Sequence, residues 1–149
     1  MGENRGINAK AMLICVDRKR KRVLLQKGMD PKTGARFYRL IGGHMEFFER
    51  SDAALRREIM EELHARLGNL KPEGVIENRF EMGGEKGHEI VFVYSGRLLG
   101  NDFYKREVLN RDEDGRKTKA YWVPFSEVRK ARSRVYPKGV YEKIARLME

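Results

Sequence analysis

Three glutamates on one predicted helix are the residues of this chain best placed to do chemistry. Glu58, Glu61 and Glu62 stand at positions i, i+3 and i+4, so their side chains share one helical face within about one turn. Like charges at this spacing repel, and each close pair costs an isolated helix roughly 0.2–0.5 kcal/mol. The helix therefore needs a compensating cation, and a hard divalent metal ion is the natural candidate.

The segment that carries these glutamates is predicted to be a helix from Asp52 to Leu63. Ser51 or Asp52 can cap its N-terminus. Apolar residues near helical spacing supply the face that packs on the core: Ala53, Ala54, Leu55, Ile59 and Leu63. The glutamates then project from a neighbouring face, which predicts that all three are directed to the surface.

The residues around the helix form a longer pattern. Gly43 is followed by five residues and Glu49, then by seven residues and the run from Arg57 to Ala65, REIMEELHA. This spacing resembles the signature of the Nudix hydrolases, in which Gly, Glu and an Arg-Glu-apolar-x-Glu-Glu-x-Gly-apolar run are separated by the same intervals. The resemblance implies an α/β fold, an α/β/α sandwich with a mixed β-sheet, and a hydrolase of pyrophosphate linkages.

Two positions depart from that signature. His64 replaces the closing glycine, where the end of a helix often adopts the left-handed conformation. Phe48 replaces a glycine often found before Glu49, and a bulky residue at positive φ is strained. We therefore expect an altered helix end at His64 and an altered loop at Phe48.

Alternating and apolar runs predict the remaining elements. Strands are expected at about 9–17, 22–26, 37–40, 72–80, 89–97 and 120–124, and further helices at about 126–130 and 139–148. In the strand at 89–97 both faces are apolar, which suits a sheet covered on two sides.

The carboxylates suggest how the reaction would proceed. A pyrophosphate linkage reacts with water only when its negative charge is neutralised and the water is activated, and divalent magnesium does both. Glu58 and Glu62, with Glu61 assisting, would hold Mg²⁺ or Mn²⁺ through oxygen atoms. The resemblance implies a further main-chain carbonyl ligand at Gly42 or Gly43. Glu58 is also the candidate base that takes the proton of the attacking water.

The resemblance assigns supporting roles to two other charged positions. It implies an ion pair between Arg57 and Glu49 that fixes the loop against the helix.

A further acid is implied in the polar segment from Asn110 to Arg116, which we expect to be a mobile loop. Glu113 is the preferred residue, Asp112 comes next and Glu107 is more distant. An Asp-Gly turn exposed to water remains the alternative.

Several aromatic and histidine residues could contact a substrate, but each has a simpler explanation. Trp122 and Phe125 are more typical of packing than of base stacking. His44 and His88 could hydrogen-bond a phosphate, or could be structural or solvated.

Length and composition favour one domain over residues 1–149. No apolar run approaches the ~20 residues of a membrane span, and residues 1–13 lack a secretory pattern, so we expect a cytoplasmic protein without membrane association. Cys15, the only cysteine, lies in an apolar run and is expected to be a buried strand residue.

The net charge of +10, from 32 Lys and Arg against 22 Asp and Glu, attracts polyanions. The expected partner is a small nucleotide, with nucleoside triphosphates as the default substrate, and RNA and a homodimer stay open. A catalytically inactive relative, or a noncatalytic Nudix-like module that binds nucleotide or RNA, is the alternative function.

Overall fold

Two β-sheets and three helices make up residues 6–149, the part of the chain that the computed structural model describes. The strands are β1 (Asn8–Ile14), β2 (Val16–Asp17), β3 (Arg22–Met29), β4 (Arg36–Arg39), β5 (Ile41–His44), β6 (Leu67–Met82), β7 (Glu85–Leu98), β8 (Val108–Glu113), β9 (Arg116–Pro124) and β10 (Val135–Tyr136). The helices are α1 (Ser51–Leu63), α2 (Phe125–Lys130) and α3 (Val140–Met148). None of these helices is long and apolar enough to cross a membrane.

Both sheets are mixed. The first has the order β5-β1-β7-β6, in which β1 and β7 are parallel. The second has the order β10-β4-β3-β9-β8, with β2 paired to β3 and with β10 parallel to β4. The predicted α/β class with mixed sheet structure is confirmed.

Apolar side chains alternate along β1 and supply two core clusters. Ala11 and Leu13 join a cluster that contains Ile59 of α1, whereas Met12 joins a cluster that contains Ile144 of α3. The first sheet is therefore covered by helices on both faces, as predicted. Burial on both faces excludes water from the sheet and is worth about 1.5–3 kcal/mol for each large aliphatic side chain.

Cys15 is fully buried, as expected, but it lies between β1 and β2 and not within the single strand that was predicted at 9–17. Burial raises the pKa of its thiol to about 11, although a contact with the hydroxyl group of Tyr104 opposes this shift. A neutral, buried thiol is a poor nucleophile.

The predicted helix over the glutamates is confirmed, but its predicted cap is wrong. Arg50 occupies the N-cap position, and no side chain caps the helix. Ser51 is instead the first helical residue, and its hydroxyl group lies 2.6 Å from that of Tyr94. At the other end, His64 adopts the left-handed conformation with φ 56° and donates its backbone N–H to the carbonyl oxygen of Met60, so the helix has an ordinary left-handed cap and the expected alteration is wrong.

The segment predicted as a mobile loop is mostly a strand. Val108–Glu113 forms β8 and pairs with β9 over six residues, so that only Asp114 and Gly115 remain as a tight turn. The short strands β5 and β10 were also not predicted, and β6 and β7 extend beyond their predicted ends. The expectation about a secretory pattern concerns residues 1–13, of which the first five lie outside the described part of the chain.

Candidate active site

Arg57, near the middle of α1, is the centre of an ion-pair network. Its guanidinium donates two hydrogen bonds to Glu49, at 2.8 and 2.9 Å, one to Glu58, at 3.1 Å, and two to Glu61, at 3.1 and 3.4 Å. A further bond of 3.0 Å reaches the carbonyl oxygen of His44 on β5. Hydrogen bonds from Arg57 are the main reason that the pKa of Glu49 is lowered to about 2. The ion pair expected from the sequence is therefore present, and it ties the loop to both the helix and β5.

Glu62 is buried, with 5 % of its surface exposed, so the prediction that it is directed to the surface is wrong. The reason is that β8 packs across α1 and places the buried Arg111 against it, with Nε 2.9 Å from Oε1. Burial raises the pKa of Glu62 to about 8, and the hydrogen-bonded carboxyl group of Glu58 adds to this effect, whereas Arg111 opposes it.

The two candidate acids on β8 have different surroundings. Nη2 of Arg111 lies 3.0 Å from Glu113, although the angle is not that of a hydrogen bond, so Glu113 belongs to the same charge network as Glu62. Asp112 instead contacts Lys117 at 2.6 Å and His64 at 3.2 Å, beyond the end of α1. Hydrogen bonds from Lys117 and His64 lower the pKa of Asp112.

Sequence reasoning missed Arg111. It lies in a run of acidic and polar residues that was interpreted as a loop, because the inward residues of this run, Leu109 and Arg111, form no apolar alternation that would indicate a strand. The sequence predicted that the glutamates need a compensating cation, and within residues 6–149 the guanidinium groups of Arg57 and Arg111 supply part of that charge.

The two adjacent glycines of β5, Gly42 and Gly43, allow other groups of the protein to lie close to the backbone. A Cβ atom at Gly42, where φ is 140°, would lie 2.2 Å from the carbonyl oxygen of Ala11. A Cβ atom at Gly43 would lie 2.5 Å from the carboxyl group of Glu58. Gly43 therefore leaves space in which the carboxylate of Glu58 can rest against the backbone.

The donors in this region fit a hard cation, although they are not arranged as a closed cage. Within residues 6–149, no three acidic, histidine or cysteine side chains converge on one point. Glu58 and Glu62 approach each other, and the backbone of Gly43 lies beside Glu58. Glu61 is turned toward Arg57 and is more than half exposed. An oxygen donor set with few protein ligands suits Mg²⁺, which keeps several waters.

The loop before α1 adopts the strained conformation expected from its departure from the signature. Phe48 has φ 70°, and both Phe48 and its neighbour Phe47 are almost fully exposed. A bulky side chain in the left-handed region costs about 1–3 kcal/mol, and here no burial of the ring offsets that cost.

The other residues that sequence analysis considered are mostly structural. Trp122 is buried and donates a hydrogen bond of 2.8 Å to the carbonyl oxygen of Phe103. Phe125 stacks on Tyr141, and His88 contacts Glu77 at 2.9 Å. These positions provide packing and surface contacts.

This chain belongs to the Nudix family, because a NUDIX domain model matches residues 7–144. No sequence match was found among curated proteins.

Solved structures agree with this assignment at the level of fold. A NUDIX hydrolase from Nitrosomonas europaea is 17 % identical with a TM-score of 0.60, and the match covers 95 % of this chain and 87 % of that one. A MutT protein from Methanosarcina mazei Go1 is 16 % identical with a TM-score of 0.61, and 98 % of each chain is covered. A MutT NUDIX hydrolase from Burkholderia pseudomallei is 21 % identical with a TM-score of 0.58, over 87 % of this chain and 98 % of that one.

Proposed function

We propose that this protein hydrolyses a pyrophosphate linkage in a nucleoside diphosphate derivative, with a nucleoside triphosphate as the default substrate and with Mg²⁺ or Mn²⁺ as cofactor. The observation that carries the proposal is the cluster of α1 carboxylates around Arg57 in a chain of the Nudix family. Nucleotide sugars and capped RNA are less favoured substrates, and a cytoplasmic location agrees with a nucleotide substrate.

The metal ion would be held by Glu58, Glu62 and the backbone of Gly43. Glu61 would bind it as well once its ion pair with Arg57 is broken. When bound, Mg²⁺ would supply positive charge to the phosphate oxygens and would favour deprotonation of the attacking water. The acidic cluster by itself repels a polyphosphate. The positive charge of the metal ion would therefore have to be present before a substrate can approach these carboxylates.

Glu58 is the candidate general base. Its side chain is 16 % exposed, which allows water to reach it, and Nη1 of Arg57 holds it at 3.1 Å. Gly43 fixes its other side. A carboxylate restrained in this way can accept the proton of an attacking water without first losing rotational freedom.

Arg57 and Glu49 are positioning residues in this proposal. Their two hydrogen bonds orient the guanidinium so that its third nitrogen contacts Glu58. Removing Arg57 would therefore free three glutamates at once, with loss of both turnover and stability.

A hydrolysis screen tests the proposal directly. The purified protein would be incubated with Mg²⁺ and a panel of nucleoside triphosphates, nucleotide sugars and capped RNA, with identification of the products. We expect metal-dependent cleavage between two phosphates of at least one substrate. Folded protein that turns over none of them would contradict the proposal.

One observation favours a second candidate, a noncatalytic module that binds RNA or nucleotide. A cavity of about 320 Å³ between β3, β4 and α2 is lined by four cations and one carboxylate: Lys27, Arg36, Lys130, Arg134 and Glu127. Such a surface attracts phosphates. Tight, salt-sensitive RNA binding without turnover would favour this function over hydrolysis.

A further inference from the structure

A row of four polar side chains crosses the first sheet on the face away from α1, one from each strand. His44 on β5 is the cross-strand partner of Lys10 on β1. Glu89 on β7 is the cross-strand partner of Asn78 on β6, and its carboxylate reaches Lys10, which lies two residues further along β1 than Asn8, the residue in register with Glu89. We call these four residues the Lys10 row. The row lies on the same face of the sheet as Met12 and borders the apolar cluster that contains Met12.

Glu89 is the centre of the row and is 3 % exposed. Its carboxylate lies 2.6 Å from Nζ of Lys10 and accepts a hydrogen bond of 3.2 Å from the Asn78 amide. Arg39, which comes from β4 in the second sheet, donates from Nη2 to both carboxylate oxygens, at 3.0 and 3.3 Å. Burial alone would raise the pKa of Glu89, but Arg39 and Lys10 outweigh it and hold the pKa below its usual value.

The two cations have more charge and more donors than Glu89 can use. Together Lys10, Arg39 and Glu89 carry a net charge of +1. Within the described residues, Nε and Nη1 of Arg39 have no hydrogen-bond partner, and Nζ of Lys10 has only Glu89. The Arg39 side chain is 25 % exposed, so these donors can be reached from solvent. A small site with positive charge and unused N–H groups matches the oxygens of a phosphate.

The Lys10 row adjoins the candidate active site through β5, an edge strand of the first sheet. Gly43 touches the carboxyl group of Glu58 on one face of β5, and the next residue, His44, is directed to the row on the other. Burial lowers the pKa of His44, Lys10 lowers it further, and both Glu89 and Glu58 oppose these effects. The imidazole therefore lies within electrostatic reach of both clusters.

We propose that Lys10 and Arg39, held by Glu89, form an anion subsite for a phosphate group of the substrate that lies beyond the scissile linkage. This inference rests on the proposed function and narrows its substrate class to compounds with at least three consecutive phosphates. Arg39 supplies a planar fork to the phosphate, and Lys10 supplies a point charge.

Binding of inorganic polyphosphates tests the subsite without turnover. Isothermal titration calorimetry in Mg²⁺ would compare tripolyphosphate with pyrophosphate for the wild type, Arg39→Gln, Arg39→Lys and Lys10→Met. Lys86→Gln, an exposed lysine on β7, is the matched charge control. Thermal melting of each variant would show that it is folded.

The wild type should prefer tripolyphosphate, and Arg39→Gln should weaken its binding about 10- to 100-fold, the loss expected for hydrogen bonds to charged groups. Pyrophosphate affinity should change much less, and Arg39→Lys should recover part of the loss. In turnover, KM for a triphosphate should rise while kcat stays within about threefold, because the lost contact is present before and during the reaction. Lys86→Gln should behave as the wild type.

Folded Arg39→Gln with unchanged tripolyphosphate binding would overturn the proposal and leave the ion pairs as a tie between the two sheets. If Arg39→Gln does not fold, Lys10→Met is judged by the same criterion. Absent hydrolysis together with the expected binding pattern would count against the proposed function alone. Hydrolysis by the wild type, together with equal tripolyphosphate affinity of the wild type and Arg39→Gln, would count against the subsite alone.

Discussion

Two buried glutamates, Glu62 and Glu89, lie on opposite faces of the first sheet and differ in their charge surroundings. Glu62 has one arginine, Arg111, and a second carboxyl group beside it, and its pKa is raised. Glu89 has Lys10, Arg39 and an amide donor, and its pKa is lowered. The first cluster lacks positive charge, which suits a metal ion, and the second has an excess of it, which suits an anion. The two faces thus carry complementary halves of a site for a metal-bound polyphosphate.

Of the substitutions that test this comparison, Arg111→Met should have the largest effect, a loss in the free energy of unfolding. At a pH above the pKa of Glu62, removal of the guanidinium leaves a buried carboxylate without its cation, and breaking a buried pair in this way costs about 3–5 kcal/mol. Urea unfolding would measure the loss. Arg116→Met is the control, because Arg116 is exposed and its pair with Glu113 should contribute little. Equal stability of the two variants would mean that Arg111 does not stabilise the carboxylate face.

Substitutions of the two acids on β8 form a matched pair, because Glu113 belongs to the charge network of Arg111 and Asp112 does not. Glu113→Gln should lower kcat about tenfold, since Glu113 adjoins the Arg111 that holds Glu62, and tenfold corresponds to ~1.4 kcal/mol of transition-state stabilisation. Asp112→Asn should stay within about twofold, because Asp112 contacts only groups beyond the end of α1. Steady-state kinetics would distinguish them. If both stay within twofold, β8 contributes no acid to the reaction.

The raised pKa of Glu62 predicts an unusual pH dependence of stability. Between the unfolded value of 4.5 and the folded value of about 8, the folded protein binds more protons than the unfolded chain. The free energy of unfolding should therefore fall as the pH rises through this range in the absence of metal. Urea titrations between pH 5 and pH 8.5 would measure it. Glu62→Gln should flatten the curve, and an unchanged slope would show that Glu62 is already ionised at pH 5.

The smallest expected effect concerns the loop that brings Glu49 to the carboxylate face. Phe48→Gly should raise the free energy of unfolding by about 1 kcal/mol, since glycine adopts φ 70° without the strain of a bulky side chain. Thermal melting would measure the gain, and kcat should remain near the wild-type value. A loss of stability would show that the exposed ring of Phe48 contributes a contact that outweighs its backbone strain.

The sequence predicts the regular parts of this molecule better than its charged interior. Helix α1 follows from apolar spacing, and the left-handed His64 follows from its place in the signature. Strand β8 could not be predicted, because its inward residues, Leu109 and Arg111, do not form an apolar alternation. A buried arginine is recognisable only once its partner Glu62 is known to face it, and that contact spans 49 residues of sequence.

The same limit applies to the Lys10 row. Its members come from four strands, so no local pattern joins them, and only the register of the first sheet brings them together. By contrast, the pair between Arg57 and Glu49 was expected, because both residues lie in one short signature.

The central claim, that the carboxylate face of α1 catalyses metal-dependent hydrolysis, is tested most directly by comparing Glu58→Gln with Glu61→Gln. Both variants lose one α1 carboxylate, but Glu58 rests against Gly43 whereas Glu61 is mostly exposed. Glu58→Gln should lower kcat about 10²- to 10⁴-fold, the range for loss of a general base. Glu61→Gln should lower it less, with both proteins folded. Turnover of Glu58→Gln within about twofold of the wild type, with the same magnesium dependence, would contradict the claim.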